Sequence, residues 1–220
     1  IYKIDRSMKI KVCGMKYNEN IHELEALHPD YMGFLFFSGS KRHVEAELPE
    51  IRKGIDKIGV FVNQEEDEVV QLVRSNQLAG IQLHGEESPD YIEQLRVQLK
   101  DPEVKIIKAF PVGDSMNWEQ LRPYEAVCDY FLLDTKGKER GGNGIQFNWE
   151  LLSGYPLKTK FFLSGGIGPD DIEALKDFSK SEKSGMCHAI DVNSRFELFP
   201  GMKDIEKLKV FIKDFKDIQS

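Results

Sequence analysis

The sequence contains no continuous apolar run near the roughly 18 residues that a membrane-spanning helix needs, and its N-terminus lacks the apolar stretch of a secretory leader. A soluble, cytoplasmic protein without a membrane partner is therefore expected. Cysteine is scarce: three residues, at 13, 128 and 187, odd in number and far apart. That pattern excludes a disulfide framework and a Cys-x-x-Cys metal site, and points to reduced thiols. Positive charge is not in excess, since 30 Lys and Arg stand against 37 Asp and Glu, a net charge of -7. Such a balance argues against nucleic acid as a partner. No segment rich in Pro, Gly or Ser divides the chain, and no Gly-x-Gly-x-x-Gly follows the first apolar run. One domain is favoured, and a dinucleotide-binding doubly wound sheet is not.

What the chain does have is repetition. Eight short apolar runs, at about residues 9–13, 31–37, 57–62, 80–84, 104–109, 130–134, 160–164 and 187–192, alternate with longer charge-rich segments. Some of those segments carry helix patterns, as in Glu65 to Arg74 with Val69, Val70, Leu72 and Val73, and Pro89 to Leu99 with Ile92, Leu95 and Leu99. Ser88-Pro89 and Pro169-Asp170-Asp171 supply start signals. Eight βα units in one undivided chain predict a single-domain (β/α)8 TIM barrel over residues 8–220. Residues 1–7, which precede Met8, are expected to be a leader or a remnant of expression.

In such a barrel the C-terminal ends of the strands surround one mouth, so the residues there are the candidates for chemistry. Cys13 ends the first run and is followed by Gly14. It is a candidate base or nucleophile; the alternative is a small buried hydrophobe, the commoner fate of a free cysteine. Cys128 and Cys187 sit at or near strand starts and fit the buried alternative. Asp134 ends the sixth run, where desolvation would keep a proton on a carboxyl, making it a candidate general acid; the alternative is a helix cap or ion-pair partner. Ser164-Gly165-Gly166-Ile167-Gly168 after the seventh run and Asp191-Val192-Asn193-Ser194 after the eighth fall where barrel phosphate sites recur. Ser38-Gly39-Ser40-Lys41-Arg42 brings two cations to the second loop, and a guanidinium suits a planar carboxylate, although a solvated loop charge is the alternative. Lys136, Lys138 and Arg140 offer attraction from the sixth loop. His84 either orients substrate or is structural. A thiolate and a carboxylic acid across one mouth suit a proton-shuttling isomerisation that needs neither metal nor cofactor.

Taken in order, these stretches resemble the phosphoribosylanthranilate isomerase family of tryptophan biosynthesis. The resemblance is carried by Lys11-Val12-Cys13-Gly14, Gly33-Phe34-Leu35-Phe36, Ser40-Lys41-Arg42, Gly59-Val60-Phe61-Val62 and Gln82-Leu83-His84-Gly85. It continues through Leu133-Asp134-Thr135, the Gly141-Gly142-Asn143-Gly144 loop with Phe147 and Trp149, Leu163-Ser164-Gly165-Gly166-Ile167, and Asp191-Val192. The resemblance implies Cys13 as general base, Asp134 as general acid and Arg42 as ligand of the anthranilate carboxylate. It implies His84, Gly142 and Asp191 at the substrate, with Gly165, Gly166, Asn193 and Ser194 at its phosphate. A small phosphorylated substrate, no cofactor and a monomer or homodimer are implied with it. The chain departs from the family pattern at Lys41, where proline is usual and whose absence is expected to loosen the loop, and at Asn193-Ser194-Arg195, where Ser-Ser-Gly is usual. Asn143 and Asn148 are two further departures.

Other readings make distinct demands. A metal-dependent epimerase on the same barrel needs His and Asp ligands from several strands, and only His84 lies at a strand end. A histidine-pathway aminoaldose isomerase would carry aspartate in place of Cys13. An indoleglycerol phosphate synthase would use lysines, with Lys108 the candidate. A non-catalytic binder of phosphorylated sugars would have no use for both Cys13 and Asp134.

Overall fold

The computed structural model describes residues 7–45, 47–135 and 148–219. Eight parallel strands close into one barrel in sequence order, β1 (Lys9–Val12), β2 (Tyr31–Leu35), β3 (Asp56–Phe61), β4 (Gly80–Leu83), β5 (Lys105–Val112), β6 (Tyr130–Thr135), β7 (Phe161–Leu163) and β8 (Cys187–Val192). The ring is completed by β1 pairing with β8, Lys11 opposite Asp191 and Val12 opposite Val192. This is the expected (β/α)8 TIM barrel, with strand ends within three residues of the runs in the sequence.

The period-2 alternation of side chains gives the strands two buried faces. Residues such as Ile10, Val12, Phe34, Phe61, Ile81, Leu133 and Phe161 belong to the core shared with the outer helices. A separate cluster of Tyr31, Ile58, Ile107, Ala109, Leu132, Phe162 and Ala189 packs together as the barrel's own core. Beside it a register shift between β7 and β8 sets His188 against the rings of Tyr31, Tyr130 and Phe162. Burial lowers the His188 imidazole to about 4, so it stays neutral and pairs with the Tyr31 hydroxyl at 2.8 Å.

Five outer α-helices are described: α1 (Asn18–Glu25), α2 (Glu66–Asn76), α3 (Pro89–Leu99), α4 (Ile172–Ser179) and α5 (Ile205–Asp217). α3 starts as its sequence indicates, with Ser88 Oγ accepting the Tyr91 N–H at 3.2 Å and Pro89 in the first turn. The expectation that a helix returns the chain after every strand needs correction. Among the described residues no helix lies between β2 and β3, where Ser38, Gly39, Pro49 and Gly54 interrupt any helical period. Among the described residues, the chain forms 3-10 turns after β5 and β6, Trp118–Tyr124 and Trp149–Gly154. The second is capped by Asn148, whose Oδ1 accepts the Glu150 N–H at 2.9 Å, so this departure from the family pattern keeps a capping side chain.

Two pieces outside the repeat matter for the site. After β8 the chain makes a small antiparallel hairpin of β9 (Glu197–Phe199) and β10 (Met202–Lys203) before α5. At the start of the barrel Met8 is buried, its N–H donating to Gln219 Oε1 and its carbonyl accepting from Gln219 Nε2, which ties the first strand to the end of α5.

Candidate active site

A cavity of about 260 Å³ opens at the C-terminal ends of the strands. Cys13, Arg42, His84, Asp134, Gly166, Asp191, Asn193 and Ser194 all line it. Gly165 is not part of the lining but shapes the turn. Its φ of +100° is the left-handed region, and a Cβ there would stand 2.1 Å from Thr135 Oγ1, so only glycine fits. Gly142, like Lys136, Lys138 and Arg140, lies outside the described residues.

Cys13 is 4% exposed, and Gly33 leaves room for its sulfur, since a Cβ on Gly33 would meet it at 2.7 Å. Burial pushes the thiol up, opposed by the ammonium of Lys11. Cys128 and Cys187 are buried too, and burial raises each of them to about 12. What separates Cys13 is its place on the cavity wall, with the Lys11 ammonium as a hydrogen-bonding neighbour.

Lys11 is wholly buried and was not among the sequence candidates. Its Nζ donates at 2.8 Å to Asp191 Oδ1 and at 2.8 Å to Gln82 Oε1. Burial works to lower this lysine, but the Asp191 carboxylate and the Cys13 sulfur hold it above its ordinary value. Asp191 also accepts from Ser164 Oγ at 3.3 Å. With Gln82 Oε1 taken by Lys11, the Gln82 amide nitrogen is the donor to His84 Nδ1 at 3.0 Å. By that assignment neutral His84 carries its proton on Nε2, which lies 3.5 Å from Asp134 Oδ2. A polar chain thus runs around the mouth through Asp191, Lys11, Gln82, His84 and Asp134, with Cys13 beside its lysine.

Asp134 is less desolvated than its apolar strand suggests, with 22% of its side chain exposed, because it sits at the cavity end of β6. Oδ1 accepts the Thr135 N–H at 2.9 Å, leaving Oδ2 toward His84 and the cavity. The Arg42 side chain is anchored outside its own loop. Arg42 Nε and Nη2 donate to the two oxygens of Glu197 at 2.8 and 2.6 Å, and its guanidinium is held above its usual value by that contact. The extra cation, Arg195, turns outward, 39% exposed and 3.4 Å from Asp170. Lys108 is buried against Glu87 at 3.2 Å and the Gly85 carbonyl at 2.9 Å, and does not line the cavity, so the lysine-based alternative loses its candidate.

The sequence profile of the N-(5'-phosphoribosyl)anthranilate (PRA) isomerase family matches residues 10–214. The chain belongs to this family. An N-(5'-phosphoribosyl)anthranilate isomerase of Parabacteroides distasonis is 41% identical over 213 residues, covering 94% of this chain and 92% of the relative. The crystal structure of phosphoribosyl anthranilate isomerase from Thermotoga maritima superposes with a TM-score of 0.78 at 32% identity, covering 96% and 99% of the two chains. A phosphoribosyl anthranilate isomerase solved in complex with reduced 1-(o-carboxyphenylamino)-1-deoxyribulose 5-phosphate gives a TM-score of 0.76 at 29% identity, with coverage of 96% and 99%. Membership brings the phosphoribosylanthranilate isomerase barrel and its cavity under one reading, and sets aside the epimerase and synthase alternatives.

Proposed function

We propose that this chain isomerises N-(5'-phosphoribosyl)anthranilate to 1-(o-carboxyphenylamino)-1-deoxyribulose 5-phosphate in tryptophan biosynthesis, with Asp134 as general acid and Cys13 as general base. The observation that carries the assignment is the common cavity: a thiol and a carboxyl on its wall, together with a guanidinium and with Asn193, Ser194 and Gly166.

The reaction is an Amadori rearrangement. Protonated Asp134 gives its proton to the ribose ring oxygen as the C1–O bond breaks and the anilino nitrogen lone pair forms the C1=N bond. The Cys13 thiolate then removes the proton from C2; the electrons form C1=C2 and return to nitrogen, giving an enolamine. Transfer of a proton to C1 and loss of the C2 hydroxyl proton yield the ketone. Cys13 gives up the proton it took and Asp134 regains the one it lost, so the cycle closes without an outside acid or base. Arg42 receives the ring carboxylate, and the glycine turn with Asn193 and Ser194 receives the phosphate. His84 and Asp191 act on the chemistry through Asp134 and Lys11. Three buried, unpaired cysteines suit the reducing cytoplasm. A monomer or a homodimer is the assembly proposed.

The test is to mix purified protein with freshly made phosphoribosylanthranilate and follow the loss of its fluorescence, with and without chelator. Chelator-resistant conversion is expected. Saturable binding without product would instead make the chain a phosphosugar binder.

A further inference from the structure

The substrate-facing guanidinium is not held by its own loop. It is held by the hairpin that follows the last barrel strand. Glu197 on β9 is 5% exposed at its side chain and receives the Nε and Nη2 edge of Arg42 with both oxygens. Behind it stands Lys203 on β10, fully buried, whose Nζ donates to Glu197 Oε1 at 2.8 Å and to Asn193 Oδ1 at 2.7 Å. The Gly201 N–H in the hairpin turn adds a third donor to Glu197 at 3.1 Å. Burial works to raise the Glu197 carboxyl, but Arg42, Lys203 and Gly201 hold it below its ordinary value, so it is ionised.

This geometry fixes which part of the arginine a ligand meets. A guanidinium has two edges that can each hold a carboxylate in parallel hydrogen bonds. With one edge taken by Glu197, the Nη1 and Nη2 edge is the one left for the cavity that Arg42 lines. The same lysine that steadies Glu197 also fixes the Asn193 side chain. Both side chains crowd Gly14, where a Cβ would stand 2.6 Å from Asn193 Oδ1 and 2.8 Å from Arg42 Cδ.

We infer that the β9–β10 hairpin is a positioning element of the active site. Glu197, braced by Lys203, presets Arg42 for a planar carboxylate, and Lys203 couples that end of the cavity to Asn193 at the phosphate end. The inference rests on the reading of Arg42 as the ligand of the substrate carboxylate, and goes beyond it by naming residues that never touch substrate.

The decisive experiment is a double-mutant cycle on KM and kcat for phosphoribosylanthranilate, using Glu197→Gln, Arg42→Ala and the two combined. Residues that act through one another give non-additive losses. Glu197→Gln is expected to raise KM by about tenfold with a much smaller change in kcat, and to add almost nothing once Arg42 is alanine. A KM unchanged by Glu197→Gln overturns the inference, and so do losses that multiply in the combined variant. If Arg42→Ala itself leaves KM unchanged, the carboxylate-ligand reading fails as well, whereas a raised KM in Arg42→Ala with a normal Glu197→Gln defeats the hairpin inference alone. Because Glu197→Gln leaves Lys203 short of its carboxylate, Glu197→Gln/Lys203→Met is measured beside it; this pair removes both charges together and is expected to show a KM defect at least as large, since Asn193 loses its donor too, with a native circular dichroism spectrum.

Discussion

At the scale of the residue, the site is a study in how one ammonium conditions one thiol. Cys13 at rest is a buried thiol, and only its thiolate can take a proton from carbon. Burial and Asp191 push the ionisation up, while Lys11 chiefly, and Lys203 after it, pull it down. The sign of the pH dependence follows. A base that works deprotonated gives a kcat/KM that climbs with pH through its free-enzyme ionisation. Replacing Lys11 by Met removes the favourable cation and leaves Asp191 unneutralised, and both changes raise the thiol further. The rising limb of the Lys11→Met profile is therefore expected at higher pH than in wild type, with slower alkylation of Cys13 at neutral pH. A limb that stays put or moves down would show that Lys11 does not act on Cys13. Lys11 does not stand out in the sequence because a charge among Ile10, Val12 and Cys13 passes for the solvent side of a strand. In a closed barrel both strand faces are covered, so a lysine at that position has to be buried with partners, and that was the available signal.

At the scale of the element, strand ends carry the chemistry and the loops after them carry recognition. The turn after β7 shows the constraint most sharply, since Gly165 combines a left-handed φ of +100° with backbone and side chain of Thr135 where a Cβ would go. Gly165→Ala is expected to cost roughly 1–3 kcal/mol of stability, seen as a lower denaturant midpoint, and to raise KM because the displaced turn frames the phosphate end. An unchanged midpoint would mean that the turn relaxes freely. The strands, their order and the converging positions of Cys13, Asp134, His84 and Arg42 were legible in the sequence, because alternating apolar runs fix a barrel and a barrel fixes which ends meet. Helix content was less legible. Among the described residues, the segments after β2 and β5 satisfy the barrel without an α-helix, and Pro49 and Pro123 interrupt their interiors. The hairpin was not legible at all. Glu197 and Lys203 follow the last repeat, where no periodicity announces that the chain folds back against the second loop.

At the scale of the whole molecule, the charge balance looks wrong for a ligand that bears a phosphate and a carboxylate, since the chain carries a net charge of -7. The cavity reverses that sign locally. Lys11, Arg42 and Lys203 stand against Asp191 and Glu197, an excess of one positive charge in the immediate surroundings of Cys13. Surface carboxylates more than about 8 Å away are screened at physiological ionic strength, whereas buried charges are not. The barrel thus presents an anion-accepting mouth on an acidic body, and the same excess favours a thiolate. The account as a whole depends on the sulfur of Cys13 and the carboxyl of Asp134 each moving a proton on a shared substrate. The most direct measurement is kcat/KM of purified Cys13→Ser and Asp134→Asn with phosphoribosylanthranilate, alongside thermal melts. Each variant is expected to melt as wild type does and to lose about 10² to 10⁴ in kcat/KM. Turnover close to wild type in either folded variant would contradict the assignment.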